Sequence, residues 1–506
     1  MAHVVVVGAG VGGLAVAARL AAGGHAVTVC EAAATVGGKL GTASVQGFTW
    51  DTGPSLLTWP RLLTDTLAAI GAPPLTTTRL DPAFTHRFAD GSTLVLPAGD
   101  TAAVVAAIAD QLGADAASDW AALSAYAQRV FDVVEQPFLR RPLTPLQLLV
   151  QSTRLPALAV VAPWRSLRQV GERYLRDVRL RQVLDRYATY TGSDPRRVPA
   201  PLVTVPHVEQ AFGAHHVPGG LRRISEALAA RAVELGGVVR TNTRVVRVEV
   251  AGGAVRAVVL DGGERLPADV VVSAVDARTT VALLPRRHSV ALRARLHRAT
   301  PSLSGFVLLL GVRGVPTLDG RPLGHHTVLY PRDYDDEFDS VFGVRSVFGA
   351  GRRAPRPIPD PAVYLTCPDD PTTRPDADHR AVFVLVNAAQ QEPGRGVDWD
   401  APGLAQRYAE AVLRVVQRRG VDLGEVVVRR VRTPADLERD TGAPGGSIYG
   451  TSSHGLVAAF LRAPNRTGVR GLYCVGGSAH PGGGLPLVLS SAAIVHGLVG
   501  DAAGLP

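Results

Sequence analysis

The stretch that decides the fold is His3-Val4-Val5-Val6-Val7-Gly8-Ala9-Gly10-Val11-Gly12-Gly13, followed by an Ala/Leu-rich run and then Val27-Thr28-Val29-Cys30-Glu31. Four consecutive β-branched residues predict a short strand buried on both faces. Gly8, Gly10 and Gly13 then fit G-x-G-x-x-G. Gly8 permits the tight turn, Gly10 lets a pyrophosphate approach the backbone, and Gly13 lets the next helix pack close to the strand. That helix is expected over residues 12–22, stopped by Gly23-Gly24, with its N-terminal N–H groups facing the phosphates. A second strand delivers Glu31 to a ribose hydroxyl. An acid there favours an unphosphorylated ribose, hence FAD or NAD rather than NADP. The glycine pattern alone is a weak signal; a preceding strand, a following helix and the acid at this distance make it specific.

Working outward, 506 residues exceed one hydrophobic core, so two or three domains are expected. With 46% hydrophobic and 19% charged residues the composition is that of an ordinary globular protein. No apolar run approaches the ~18–20 residues that span a bilayer. The N-terminus has no basic region ahead of the glycine motif, which argues against a signal peptide. Cys30, Cys367 and Cys474 have neither metal-ligand spacing nor a disulfide pattern; Cys30 and Cys474 read as core thiols. A cytoplasmic compartment and no metal site are expected. The net charge of +9 comes without a basic block interleaved with aromatics, which argues against nucleic acid. It suits a basic face toward anionic lipid, or simply an arginine-rich composition.

Val36-Gly37-Gly38-Lys39 suits a second close approach to a pyrophosphate, and Asp51-Thr52-Gly53-Pro54 has turn chemistry. Residues 60–135 mix helices with a hairpin near 85–96. Residues 137–175 alternate apolar patches, such as Leu146-Gln147-Leu148-Leu149-Val150, with arginines between prolines. This suits a lipid-contacting element, the mouth of an apolar tunnel, or a buried helical cap with solvated arginines. An arginine-rich helix is expected over 174–190, ending near Gly192. Val217-Pro218-Gly219-Gly220-Leu221 opens a helix over 222–235, followed by strands at 238–240, 245–250, 255–260 and 268–275 that would complete a discontinuous nucleotide-binding sheet. Residues 285–465 read as a second domain, with strands at 302–312 and 381–387. Gly349-Ala350-Gly351-Arg352-Arg353-Ala354 formally fits G-x-G-x-x-A, but Pro355, Pro357 and Pro359 follow, so it reads as a basic loop and one nucleotide fold is expected.

The segment Gly471-Leu472-Tyr473-Cys474-Val475-Gly476-Gly477-Ser478-Ala479-His480-Pro481-Gly482-Gly483-Gly484-Leu485-Pro486-Leu487-Val488-Leu489 reads as a strand (472–475), a glycine loop and a helix that Pro486 opens. A helix start there favours the negative charge a reduced flavin carries. His480 reads as a loop histidine bonded to backbone rather than an acid–base group.

These pieces together, with Thr189-Tyr190-Thr191-Gly192-Ser193-Asp194-Pro195 and His325-His326-Thr327, resemble the carotenoid desaturases of the bacterial phytoene desaturase type, in order along the whole chain. The resemblance implies an α/β fold: a discontinuous Rossmann-type FAD-binding domain, amine-oxidase-like, with an inserted α+β substrate domain. The boundaries read from the sequence are 1–75, 213–285 and 464–506 for the FAD-binding domain, and 76–212 and 286–463 for the substrate domain. The implied activity is FAD-dependent removal of two hydrogens across a C–C bond of an acyclic carotenoid at the membrane surface, with quinone or oxygen as terminal acceptor. By this carry-over the cofactor-binding residues are Gly8, Gly10, Gly12, Gly13, Glu31, Gly38 and Lys39, then Gly53 and Pro54, then Val245 at adenine, and Gly477, Ser478, Leu485, Pro486 and Val488 at the flavin end.

A hydrocarbon offers no group to ionise, so catalysis would rest on placing an allylic C–H against the flavin. His325 and His326 are the catalytic candidates by family position, with Arg140 for stabilising an intermediate; each also has a structural reading. Three alternatives share the scaffold: a late carotenoid 3,4-desaturase acting on lycopene-type or 1-hydroxy carotenoids, an FAD-dependent carotenoid isomerase or oxidase, and a non-catalytic isoprenoid carrier. The carrier would not need the motif at 476–488.

Overall fold

A computed structural model describes residues 1–143, 155–345 and 352–502. The opening stretch folds as strand His3–Val7, helix Val11–Ala22 and strand Ala26–Cys30. Val4 pairs in parallel with Val27 on one side and Val270 on the other. The full sheet runs Val238–Arg240, Ala26–Cys30, His3–Val7, Val270–Ser273, Leu472–Cys474, all parallel. Segments from the start, middle and end of the chain therefore build one sheet, as expected for a discontinuous nucleotide-binding domain. Helix Val11–Ala22 packs between Arg222–Glu234 and Leu485–Val499. Its alanines at 15, 17 and 18 are fully buried, and small side chains let the three helices approach closely.

The hairpin Val245–Ala251/Ala254–Leu260 does not join this sheet. It pairs with Arg265–Pro267 in a separate antiparallel sheet. Its polar–apolar alternation suits a sheet with one wet face, whereas the parallel strands are apolar throughout.

The second large sheet has seven strands in the order 425–432, 304–313, 379–388, 363–366, 326–329, 84–87, 93–96. Its two longest strands, Ser304–Arg313 and His379–Ala388, pair antiparallel in continuous register. Helix Leu404–Arg418 with Trp399 covers one face. Phe48 and Trp50 cover the other, and a Cβ at Gly311 would lie 2.7 Å from the Phe48 ring. The hairpin Phe84–Arg87/Thr93–Leu96 extends the sheet by parallel pairing with His326–Leu329.

The single arginine-rich helix expected over 174–190 is broken. Helix Leu167–Tyr174 ends at an extended Leu175. Asp177 caps a new helix, Val178–Arg186, by accepting the Arg179 N–H, and a 3-10 turn to Thr191 ends at left-handed Gly192. A side-chain cap at Asp177 competes successfully with helix continuation. Of the apolar–arginine stretch, 144–154 lies outside the described residues; before it Glu135–Leu139 forms a π-turn and after it Leu155–Val161 a helix. Gly349-Ala350-Gly351 also lies outside, while Arg352–Arg353 pairs with Val344–Arg345 as a short ribbon instead of the expected loop. All three cysteines are buried and free.

Candidate active site

The C-terminal ends of the parallel strands open onto a floor of glycines. Gly8 has φ +98°, which only glycine adopts without strain, and a Cβ at Gly13 would lie 2.2 Å from the Gly8 carbonyl oxygen. A Cβ at Gly10 would meet nothing within 4 Å, so this backbone is bare on its open side. Gly37 N–H donates to the Ala9 carbonyl, and Gly38 sits against Gly10 Cα. Two helix N-termini meet here. Val11–Ala22 and Leu485–Val499 both start at a glycine with no side-chain cap and no acid in the first turn. A Cβ at Gly12 would lie 3.0 Å from Gly476 Cα and 3.1 Å from Val488, so the two glycine loops touch. Two uncapped positive helix ends over an open glycine floor are what a dinucleotide diphosphate requires, and FAD fits this donor set.

Glu31 leaves the second strand beside this floor. Its carboxylate accepts the Ala9 N–H at 2.6 Å and the Ala33 N–H at 2.8 Å. The Thr243 N–H donates to the Glu31 carbonyl, which brings the segment leading to Val245 alongside. Lys39 is held differently. Its ammonium donates to the Ser447 and Ile448 carbonyls at 2.7 Å each, and burial pulls its pKa down to about 8 against the attraction of Asp276. Gly53 packs on the Lys39 carbonyl and Pro54 is exposed.

The C-terminal loop is held by Arg462, Asn465 and Tyr449, which the sequence reading did not single out, together with the expected Ser478. Arg462, 5% exposed, donates to the carbonyls of Tyr449, Thr451 and Gly477. Asn465 donates to the carbonyls of Cys474 and His480. Ser478 accepts the Ala277 N–H at 3.0 Å. The ring of Tyr449 wedges between Gly192 and Gly483. His480 donates to the Arg141 carbonyl at 2.9 Å, and burial pushes its pKa down to about 4, so it is the backbone-bonded loop histidine the sequence suggested.

Beyond Pro54 lies a buried polar cluster. Arg186 lies over the rings of Phe84, Tyr190 and Tyr364 at 4.9, 5.2 and 5.4 Å. It donates to the Tyr190 hydroxyl, which donates to Glu209, and the Tyr187 hydroxyl donates to the other Glu209 oxygen. Burial raises the Glu209 carboxyl and Arg186 opposes that. Tyr364 hydrogen-bonds Ser55, directly after Pro54, at 2.9 Å.

The two candidate histidines belong to this side. Ala83 O, 3.2 Å from His326 Nδ1, can only accept, so Nδ1 carries the proton and His326 Nε2 is bare. It accepts from His325 Nδ1 at 3.1 Å, which leaves His325 Nε2 as a buried lone pair with no partner among the described residues. Burial depresses both, His326 to about 3, so both rings are neutral at ordinary pH. His325 lines a cavity of about 30 Å³ with Asp51, Ser55, His216 and Gly220. Asp51 Oδ1, on a residue of the same lining, is also buried with no partner among the described residues. His216 continues outward to Asp370 at 3.0 Å. Arg140 stands apart: its guanidinium meets Glu135 and Asp65 and lies 5.4 Å over Trp59.

The profile of the flavin containing amine oxidoreductases matches residues 11–343. The chain belongs to that family. Within it the chain falls among the carotenoid desaturases and is an FAD-dependent oxidoreductase. It is 31% identical to a 4,4'-diapolycopene oxygenase of Methylomonas, over 98% of this chain and 97% of the relative. It is also 31% identical to a hydroxyneurosporene desaturase of Rubrivivax gelatinosus, over 97% and 91%. A solved oxidoreductase of Methanosarcina mazei shares the fold at 17% identity, with a TM-score of 0.61 over 98% of this chain and 99% of the other. The resemblance read from the motifs, the fold class and the FAD cofactor are thus borne out.

Proposed function

We propose that this flavoprotein introduces C–C double bonds into an acyclic carotenoid. The observation that carries this is the end-to-end similarity to a diapolycopene oxygenase and a hydroxyneurosporene desaturase, combined with a glycine floor that fits FAD and an aromatic interior in which Arg186 is the buried cation. FAD, when bound, supplies the acceptor for a hydride. The chain's own residues do the rest. Glu31 and Gly8, Gly10, Gly12 and Gly13 hold the ADP half with Gly38; Gly477, Ser478, Leu485, Pro486 and Val488 frame the flavin end, and Val245 backs the adenine. Phe84, Tyr190 and Tyr364 exclude water from the reacting carbons.

Loss of hydride from an allylic C–H leaves an allylic cation, and the neighbouring carbon must then lose a proton. That cation is strongly acidic, so a weak base suffices. We assign this role to the His325 Nε2 lone pair, with His326 as the positioning residue that fixes its tautomer. His216, whose ring lies 5.1 Å from that of His325, and Asp370 beyond it lead the proton outward. Arg140 supports the fold of the segment beside the last helix. The protein docks on the membrane face, where its substrate partitions, and passes electrons to quinone or oxygen.

The test is expression in cells that make phytoene, followed by pigment analysis. New, longer chromophores support desaturation. Conversion only of lycopene-type or 1-hydroxy carotenoids moves the activity to the late 3,4-desaturation step. A second reading, oxygenation of the carotenoid, is favoured by the name of the Methylomonas relative; oxygen in the product distinguishes it. A colourless protein that binds prenylated partners would make it a carrier.

A further inference from the structure

From Gln136 to Gly171 the chain carries five arginines and no Asp or Glu. Arg168 is taken by Asp185 and Asp335, and Arg140 by Glu135. Arg165 is not taken. It lies with Arg129 and Arg173 on the wall of a cavity of about 360 Å³ between helices Ala114–Val134, Leu155–Val161 and Leu167–Tyr174.

Three features of this cavity bear on what it could bind. First, Arg129, Arg165 and Arg173 line the same cavity as the Tyr126 ring. Burial, with Tyr174, raises the Tyr126 phenol, and the three arginines oppose that rise. None has a carboxylate within 4 Å among the described residues, and the residues outside the description include no Asp or Glu that could supply one. Second, the floor is aromatic: Tyr126 and Tyr174 stack at 5.3 Å, and Arg173 lies over Tyr174. Third, the rim is apolar. Ala159, Val160 and Ala162 line it, and Trp164 projects beside them with 60% of its surface exposed. An exposed tryptophan beside unpaired arginines is the arrangement of a membrane-interface anchor. A soluble anion would explain the arginines and leave the rim unexplained.

We infer that this cavity binds the phosphate headgroup of an anionic phospholipid, with Trp164 and the 159–162 edge seated at the acyl boundary. The inference rests on the reading of a lipid-dissolved substrate, and it assigns a site and a lipid charge to that docking.

The test uses the full-length, FAD-loaded protein in flotation with vesicles of phosphatidylcholine alone and with one-fifth phosphatidylglycerol. Binding should require phosphatidylglycerol. Each of Arg129→Gln, Arg165→Gln and Arg173→Gln should weaken it roughly fivefold, and the triple variant on the order of a hundredfold, at unchanged flavin content. The triple Lys variant, which keeps the charges, should retain most of the affinity. Equal binding to both vesicles overturns the inference. So does a triple Gln variant that floats like the parent, which would assign binding to the general basic surface. Displacement from vesicles by millimolar inorganic phosphate would make it a free-phosphate site. Failure of the carotenoid reading is separate: it shows as no pigment conversion in detergent, whatever the vesicle result.

Discussion

The two halves of the candidate site are built from different materials. The nucleotide end is almost all backbone: glycines whose Cβ positions are open or forbidden, two uncapped helix starts and one carboxylate. The interior beyond Pro54 is all side chain, with Arg186, Glu209, three tyrosines and two histidines buried together. A backbone site tolerates neighbouring sequence change but no added atom. A side-chain site tolerates small packing changes but no loss of a partner, because a charge left alone in the interior has nowhere to go.

The largest effect should come from adding one methyl group to the backbone half. Gly13→Ala places a Cβ on the Gly8 carbonyl, and the protein should be recovered without flavin, if it is recovered at all. Flavin released on denaturation measures this, and full occupancy would break the contrast between the halves. Next, Arg186→Met strands Glu209 in the interior. It should cost about 3–5 kcal/mol in chemical denaturation, while Gly13 variants fail outright.

How much of this was legible follows the same division. The strand, the glycines and Glu31 are local in sequence, so their spacing carries their geometry. The parallel sheet, the hairpin at 84–96 and the helix opened by Pro486 followed from period and punctuation in the same way. Arg186 and Glu209 were not found, because each is an ordinary residue on its own helix and only the tertiary fold turns them toward each other. A faint signal existed: Glu209 sits at helical spacing from Val205 and Phe212, which both pack on the core. Arg462 likewise lies just before Pro464-Asn465 and has no pattern of its own, since its partners are carbonyls. The break at Asp177 was missed because arginine periodicity suggested continuity while the cap chemistry at one aspartate decided the matter.

A third test uses pH. Glu337 is fully buried, accepting from Ala362 N–H and Asn387, and burial raises its pKa from 4.5 to about 7. The folded state binds the proton more tightly, so the stability from this group is complete below pH 4.5 and is lost as pH rises through about 7. Glu337→Gln should therefore gain on the parent by roughly 3 kcal/mol between those limits. Parallel pH–stability curves for parent and variant would mean the interior is wetter than described. Last and smallest, Glu31→Gln keeps the size and removes the charge. It should weaken FAD about tenfold, through the weaker acceptor it offers to ribose and to the Ala9 N–H. Unchanged affinity would mean the glycine floor alone holds the nucleotide half.

The central claim, that both ends of the chain hold one flavin against an oily substrate, has a direct measurement. The FAD-loaded protein is mixed without oxygen or quinone with an acyclic carotenoid in vesicles, and flavin and polyene absorbance are followed together. Loss of the oxidised flavin band in one-to-one proportion with a longer polyene is expected. A flavin that stays oxidised while every acyclic carotenoid offered remains unchanged would contradict it.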